Sequence, residues 1–165
     1  MFGIRGLDAF GLAHAAIGIV ALVLGLAVVV LRKGTALHRK IGITYLIAMS
    51  MLNLTALWIF DLTGRFGPFH VAALISLATL LAGYVPLVRR HKVTDWIAVH
   101  GTFMSWSYVG LIAAFISELA TRVPGLGFTP TVVGVSTAIT VGCGALVIHT
   151  KVPALARKHD QSTAR

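Results

Sequence analysis

The sequence has few charged residues and very few acidic ones. Lysine, arginine, aspartate and glutamate make up 12% of its 165 residues, and only five residues are acidic, whereas 57% are hydrophobic and the mean hydropathy is +0.89. An ordinary soluble domain carries about twice this share of charge. The composition therefore predicts an integral membrane protein.

Cysteine is almost absent, because Cys143 is the only one in the chain. It cannot form a disulfide within the chain. The sequence also has no Cys-x-x-Cys, no His-x-His and no two metal-ligating residues at i, i+4 spacing in one apolar run. The usual spacings of zinc and copper sites are thus missing.

Long apolar runs are abundant. Each has close to the roughly 17–25 residues that cross a hydrocarbon core as helix, and the five runs are 9–31, 41–60, 69–88, 96–119 and 131–149. Short loops make consecutive helices antiparallel neighbours. We expect an all-α integral membrane protein, an up-down four-helix bundle plus a fifth transmembrane helix, forming one domain over 1–165 with a polar cytoplasmic tail over 153–165.

Basic residues are concentrated on one side of these spans. The positive-inside rule places the N-terminus outside and the C-terminus in the cytoplasm. A net charge of +9 would suggest nucleic acid in a soluble protein, but short basic loops of a membrane protein face anionic lipid headgroups. We expect the lipid bilayer, and no nucleic acid, as a partner. The eleven residues of the cytoplasmic side are Arg32, Lys33, Arg39, Lys40, Arg89, Arg90, Lys92, Lys151, Arg157, Lys158 and Arg165, against Arg5, Arg65 and Arg122.

The fifth span differs from the others in its pattern of small residues. Gly134, Ala138 and Gly142 recur at four-residue spacing, which allows close helix approach in lipid. The pattern predicts that this span packs on the bundle or on a second copy, forming a homodimer.

Each of the first four spans carries one histidine near an end, and the ends alternate: His14, His38, His70 and His100. In an up-down bundle, His14 and His70 lie on diagonal helices near the outer face, and His38 and His100 lie likewise near the inner face. Two facing imidazoles are what a six-coordinate haem requires. The layout predicts two bis-histidine sites for haem b, or a single haem.

Small residues beside the ligands would make room for such a cofactor. Gly18 lies four residues after His14 and Gly42 four after His38, each on its ligand's face. The stripe that begins at His100 continues through Met104, a further candidate at the site.

Four other residues are secondary candidates for a site. Glu118 ends the His100 stripe, and its i, i+4 spacing to Arg122 favours a terminal ion pair. As a site residue Glu118 would instead point inward at the outer level and handle protons, with Asp61 at the end of the second span as its neighbour. Tyr45 and Tyr84 lie on the stripes of His38 and His70 near the inner side. We expect both to contact an inner cofactor, although aromatic residues are also common at membrane interfaces.

The same residues allow other interpretations. His14, His70, Asp61 and Glu118 all fall on the outer side and could bind zinc or copper through nitrogen and oxygen. A haem-free transporter or metal-binding protein is therefore the main alternative. A structural membrane subunit, with histidines that only form hydrogen bonds, is the third.

Several motifs give the chain a family resemblance. They are Lys33-Gly34 followed by His38-Arg39-x-x-Gly42, the segment Gly67-Pro68-Phe69-His70, the block from His100 through Met104-Ser105-Trp106-Ser107-Tyr108-Val109-Gly110-Leu111, and Glu118-x-x-x-Arg122. With these, the chain resembles a family of bacterial membrane proteins catalogued as domain of unknown function 2306. The resemblance implies a multi-pass protein of the bacterial inner membrane and no established activity.

The arrangement of one histidine per helix is also similar to that of di-haem b-type transmembrane cytochromes. This second resemblance implies an axial-ligand role for His14, His70, His38 and His100. The function it implies is electron transfer across the bilayer, catalysed by a membrane oxidoreductase whose electron donor and acceptor the sequence does not identify.

Overall fold

A computed structural model describes residues 9–60, 64–121, 123–125 and 129–163, with side chains described as far as residue 150. Over these residues the chain forms five helices and no strand: α1 (Ala9–Val30), α2 (Ala36–Ala56), α3 (Pro68–Val88), α4 (Trp96–Thr121) and α5 (Pro130–Thr163). The predicted all-α class is confirmed.

The bounds of α1, α3 and α4 lie within two residues of the predicted spans, whereas α2 begins five residues earlier than predicted. Thr35 has extended backbone, and its Oγ accepts a hydrogen bond of 3.1 Å from the His38 N–H. This is an N-cap. Arg39 and Lys40 therefore lie in the first turns of α2, because charge ends an apolar run without ending a helix.

The last helix is longer than the predicted span. α5 continues to Thr163, through Pro153 and through the segment expected to be a polar tail. Only Pro130–Thr150 of this helix is apolar enough to cross a membrane. The polar segment is thus helical but outside the candidate span.

Within the described residues, four helices are long and apolar enough to span a bilayer: α1, α3, α4 and the first part of α5. α2 is not among them. Its first turns carry His38, Arg39 and Lys40, and its last turns carry Asn53. The chain is a multi-pass membrane protein, and the crossing predicted for the second apolar run, 41–60, rests on the sequence pattern alone.

The chain divides into two compact units, residues 1–77 and 78–165, with the boundary inside α3. In the first unit α1 packs on α2. Ala21 and Met49 are buried there, and Asn53 of α2 donates a 3.0 Å hydrogen bond to the Ser76 hydroxyl of α3. Polar groups therefore connect helices inside an otherwise apolar unit.

In the second unit α4 packs on α5. The Ser117 side chain is 1% exposed, and its hydroxyl lies 2.9 Å from that of Ser136 and 3.0 Å from that of Thr137. A Cβ added at Gly144 would lie 2.5 Å from both Cγ atoms of Val109. The two helices thus approach closely at Gly144 and form hydrogen bonds near Ser117.

Candidate functional histidines

His14 on α1 is hydrogen-bonded to α2. Its Nδ1 lies 2.7 Å from Oγ1 of Thr55. The Thr55 hydroxyl proton is already directed at the carbonyls of Met51 and Leu52, at 2.9 Å each. A hydroxyl has one proton, and with that proton directed at a helix carbonyl we assign the donor role to Nδ1 of His14. Its neutral ring therefore carries the lone pair on Nε2.

His100 on α4 is bonded in the same way to a different acceptor. Its Nδ1 lies 2.8 Å from the backbone oxygen of Gly83 on α3. A carbonyl only accepts, so Nδ1 is the donor and Nε2 carries the lone pair. Nε2 makes no hydrogen bond within the described part of the chain.

The local structure of α3 explains why the Gly83 carbonyl is accessible. Pro86 lies inside the helix, three residues further on. A proline removes one backbone donor and displaces the carbonyls of the preceding turn, and neighbouring helices satisfy such groups in membrane proteins. Gly83 has no side chain to cover its carbonyl. Pro86 itself frees the carbonyl four residues earlier, that of Ala82, so the openness of the Gly83 carbonyl follows from the missing side chain at residue 83.

Met104 lies one turn after His100 and also packs against Gly83. A Cβ at residue 83 would overlap Cε of Met104, the end of a flexible side chain that can move, and would lie 3.2 Å from Cβ of Phe103. The absence of a side chain at Gly83 thus lets α3 and α4 approach closely here. Met104 and His100 thus both contact Gly83 of α3.

His70 has the opposite tautomer. The Gly67 N–H donates to Nδ1 of His70 over 3.1 Å. A ring nitrogen that accepts is unprotonated, so the neutral ring carries its proton on Nε2. Gly67 precedes the first helical residue Pro68, and a side chain three residues later that reaches back to that N–H forms half of a capping box. His70 therefore caps α3.

The His70 ring is buried and packs against two phenyl rings. The residue is 3% exposed, and the rings of Phe60 and Phe66 have centroids 4.6 Å and 4.9 Å from that of the imidazole, tilted by 35° and 31°. Nε2 is buried and has no hydrogen-bond partner among the described residues. A buried donor left in this state costs about 1–3 kcal/mol.

The two histidines of each predicted pair differ in their hydrogen-bond partners or lie in different units. His14 and His70 lie in the same unit, but one is bonded to α2 and the other caps α3. His38 is half-buried in the first unit and His100 lies in the second. Their pairing stays a prediction.

The secondary candidates have different environments. Tyr45 is buried, whereas Tyr84 is 45% exposed. Glu118 is exposed and its neighbour Ser117 is buried, so the inward orientation expected of Glu118 is not observed. The face of α4 that packs on α5 passes through Ser117. Asp61 lies outside the described residues.

Gly18 and Gly42 were expected to leave space for a cofactor beside the ligands, but neither position needs a glycine for that reason. A Cβ at Gly18 would make an ordinary 3.5 Å contact with Leu52, and one at Gly42 would meet nothing within 4 Å. An open groove of about 560 Å³ instead lies between α1 and α2, lined by Phe10, Leu54, Thr55 and Trp58. Thr55 connects this groove to His14.

No group of three or more His, Cys, Asp and Glu side chains in the described residues is arranged to hold a metal ion. The donor chemistry that is present is that of single histidines with a fixed Nδ1–H. This suits an axial ligand, because a neutral histidine that coordinates through Nε2 normally donates its other N–H to a carbonyl or similar acceptor. His14 and His100 meet this requirement, and His70 as it lies here does not.

Sequence reasoning missed the partners of the histidines. Thr55 and Gly83 are 41 and 17 residues from the rings they bind, and no local pattern indicates such contacts. The cap at His70 did have a signal, since a Gly-Pro start followed by a polar side chain at the third helical position is a capping arrangement. Ser117, Ser136 and Thr137 were also missed.

Comparison with known proteins gives a family but no activity. No curated protein and no solved structure is significantly similar to the chain. The family model described as predicted membrane protein, DUF2306, matches residues 11–156. That match covers most of the chain, including His14, His38, His70 and His100 and all of the candidate spans apart from the first two residues of α1. The chain therefore belongs to the DUF2306 family of membrane proteins.

Proposed function

We propose that this protein is a haem-binding membrane protein that transfers electrons, with His14 and His100 as axial ligands through Nε2. The observation that carries the proposal is the shared tautomer of these two rings. In both, Nδ1–H is donated to a fixed acceptor, the Thr55 hydroxyl or the Gly83 carbonyl. The ring orientation and the lone pair of Nε2 are set before a cofactor binds.

Polar side chains inside membrane helices also favour a functional role. His14 and His100 lie within candidate spans, each about two turns or less from a helix end. Burying a polar ring in a bilayer is costly, so such residues usually serve a site. Haem would supply a one-electron carrier at these positions.

Each haem would need a second axial histidine, and the two candidates, His38 and His70, differ in how readily they could serve. His38 remains the proposed partner of His100. His70 could partner His14 only if its ring released the Gly67 N–H and moved its proton to Nδ1, which would remove the cap of α3. The proposal therefore rests on His14 and His100, and we propose that electrons pass between the two faces of the bacterial inner membrane.

An optical spectrum of the purified protein tests the proposal. The protein in detergent should show a Soret band and, after reduction with dithionite, sharp b-type bands, with one or two haems per chain by pyridine haemochrome. Colourless protein from cells supplied with haem precursor would overturn the proposal, and metal analysis for zinc and copper would follow.

Single substitutions separate ligation from structural hydrogen bonding. His14→Asn places an amide N–H where Nδ1 was, and so keeps the bond to Thr55 but loses Nε2; His14→Ala loses both. If His14 is a ligand, both variants lose the same haem. If the ring only connects α1 and α2, His14→Asn keeps the spectrum and stability of the natural protein.

A structural membrane subunit is the second candidate, and a specific observation favours it. His14 connects α1 to α2 and His100 connects α4 to α3, which are contacts that histidines make without any cofactor. In this case His100→Asn should retain the native thermal midpoint, and His100→Ala should lower it. Neither variant should alter an optical spectrum.

A further inference from the structure

We propose that His70 is the hydrogen-bond donor of a binding site for the carbonyl oxygen of a neutral, membrane-soluble molecule, and that a planar quinone is the ligand that fits best. The site consists of His70 with the rings of Phe60 and Phe66. The proposal concerns binding alone. It does not depend on haem, because Nδ1 of His70 accepts from the Gly67 N–H and Nε2 carries the proton, so the ring as it lies here offers no lone pair to iron.

The donor of the site is Nε2 of His70. The Gly67 N–H fixes Nδ1 as an acceptor, so Nε2 carries the proton. Nε2 is buried, in a residue that is 3% exposed, and has no acceptor among the described residues. Buried donors in native proteins are nearly always paired. An acceptor from outside the described chain would complete this one.

The rings that pack against His70 favour an uncharged acceptor. The donor is a neutral N–H on an imidazole that contacts two phenyl rings. An anionic phosphate would lose its hydration on entering and gain no charge–charge contact from the imidazole or these two rings. A carbonyl oxygen carries no net charge and needs only one hydrogen bond. The surroundings therefore favour a neutral acceptor.

The exposure of the two phenyl rings favours a planar ligand that arrives from the membrane. Phe60 is 42% exposed and Phe66 is 57% exposed, so part of each residue stays accessible although both rings contact His70. Aromatic faces favour offset stacking with a planar ring. The site lies at the first turn of α3, a candidate span, where a molecule dissolved in the membrane can reach it. A quinone combines a planar ring with a carbonyl acceptor.

Phospholipid ester carbonyls offer the same neutral acceptor. The test therefore uses the full chain in nanodiscs made from ether-linked phospholipids, which have no ester carbonyl, and again in discs made from ester lipids. Decylubiquinone is titrated in, and binding is followed by quenching of tryptophan fluorescence, corrected with empty discs. Saturable binding in ether discs is expected. Weaker quinone binding in ester discs would show that lipid esters compete for the same donor.

Two substitutions at one position separate the donor from the cap. His70→Asn keeps an oxygen acceptor for the Gly67 N–H and loses the Nε2 donor, so the quinone should bind about tenfold more weakly with an unchanged thermal midpoint. His70→Gln places an amide N–H near the position of Nε2 and should keep most of the affinity. Equal affinity of His70→Asn and the natural protein would overturn the proposal.

A variant away from the histidine protects the test against misfolding. Phe66→Leu keeps an apolar side chain but removes the stacking face, and it should also weaken quinone binding. Quinone that only partitions, with equal quenching in all variants, would overturn the inference. Because the readout is quinone binding, the inference stands or fails separately from the haem spectrum.

Discussion

At the scale of single residues, four histidines that look equivalent in the sequence differ in chemistry. Their partners decide which nitrogen carries the proton: Thr55 and Gly83 accept from Nδ1 of His14 and His100, whereas Gly67 donates to Nδ1 of His70. The sequence predicted positions near helix ends correctly. It could not predict tautomers, because two of the three partners are distant along the chain.

Ser117 provides a prediction about a residue that sequence reasoning passed over. Ser117→Ala removes a buried hydroxyl between Ser136 and Thr137 and should lower the free energy of unfolding by about 0.6–1.7 kcal/mol, the range of interhelical hydrogen bonds in membranes. Unfolding in mixed detergent micelles measures it. Ser105→Ala, on the same helix and half-buried, is the control and should change little. An effect of equal size in both variants would contradict the assignment.

At the scale of helices, hydrophobicity predicted most helix bounds. It failed where capping or a polar helical segment determines where the helix begins or ends. α2 begins at the N-cap Thr35, before basic residues that end the apolar run in the sequence. α5 continues through the polar segment that was predicted to be a tail. The small-residue pattern of α5 was also incomplete as a guide. Gly134 and Gly142 have open space beside them, and the close approach to α4 is at Gly144. Packing through a second copy stays a prediction.

Gly144 and Gly142 form a matched pair for testing this packing. Gly144→Ala would place a methyl group against Val109, whose branched side chain cannot turn away, and should cost about 1–3 kcal/mol. Gly142→Ala has open space and should be neutral or slightly stabilising, because alanine favours the helix. Thermal unfolding in detergent compares them. Val109→Ala should rescue Gly144→Ala, and failure to rescue would count against this contact.

At the scale of the whole molecule, the number of spans decides the topology. Four helices pass the criteria of length and hydropathy, and α2 does not. An even number of crossings places both termini on one side, whereas five crossings place them on opposite sides. The loop charges favour an outer N-terminus and a cytoplasmic C-terminus, which requires that α2 also crosses.

Fusions to the two termini test the topology. Green fluorescent protein at the C-terminus should fluoresce, since that end is expected in the cytoplasm. Alkaline phosphatase, which is active only outside the cytoplasm, should be active when joined after α1 and α2 only if α2 crosses the membrane. Green fluorescent protein does not fluoresce after export by the general secretory route. Fluorescence of a fusion at the N-terminus would therefore contradict an outer N-terminus.

The polarity of α2 has a consequence for how the chain enters the membrane. α1 is strongly apolar and can partition into lipid as soon as it is made, whereas α2 begins with His38, Arg39 and Lys40 and ends near Asn53. We therefore expect α2 to be inserted together with α1 as a helical hairpin, so that the bond from His14 to Thr55 forms during biosynthesis. The transfer of the apolar α1 into lipid and its hydrogen bond to Thr55 would then supply the free energy that α2 lacks on its own.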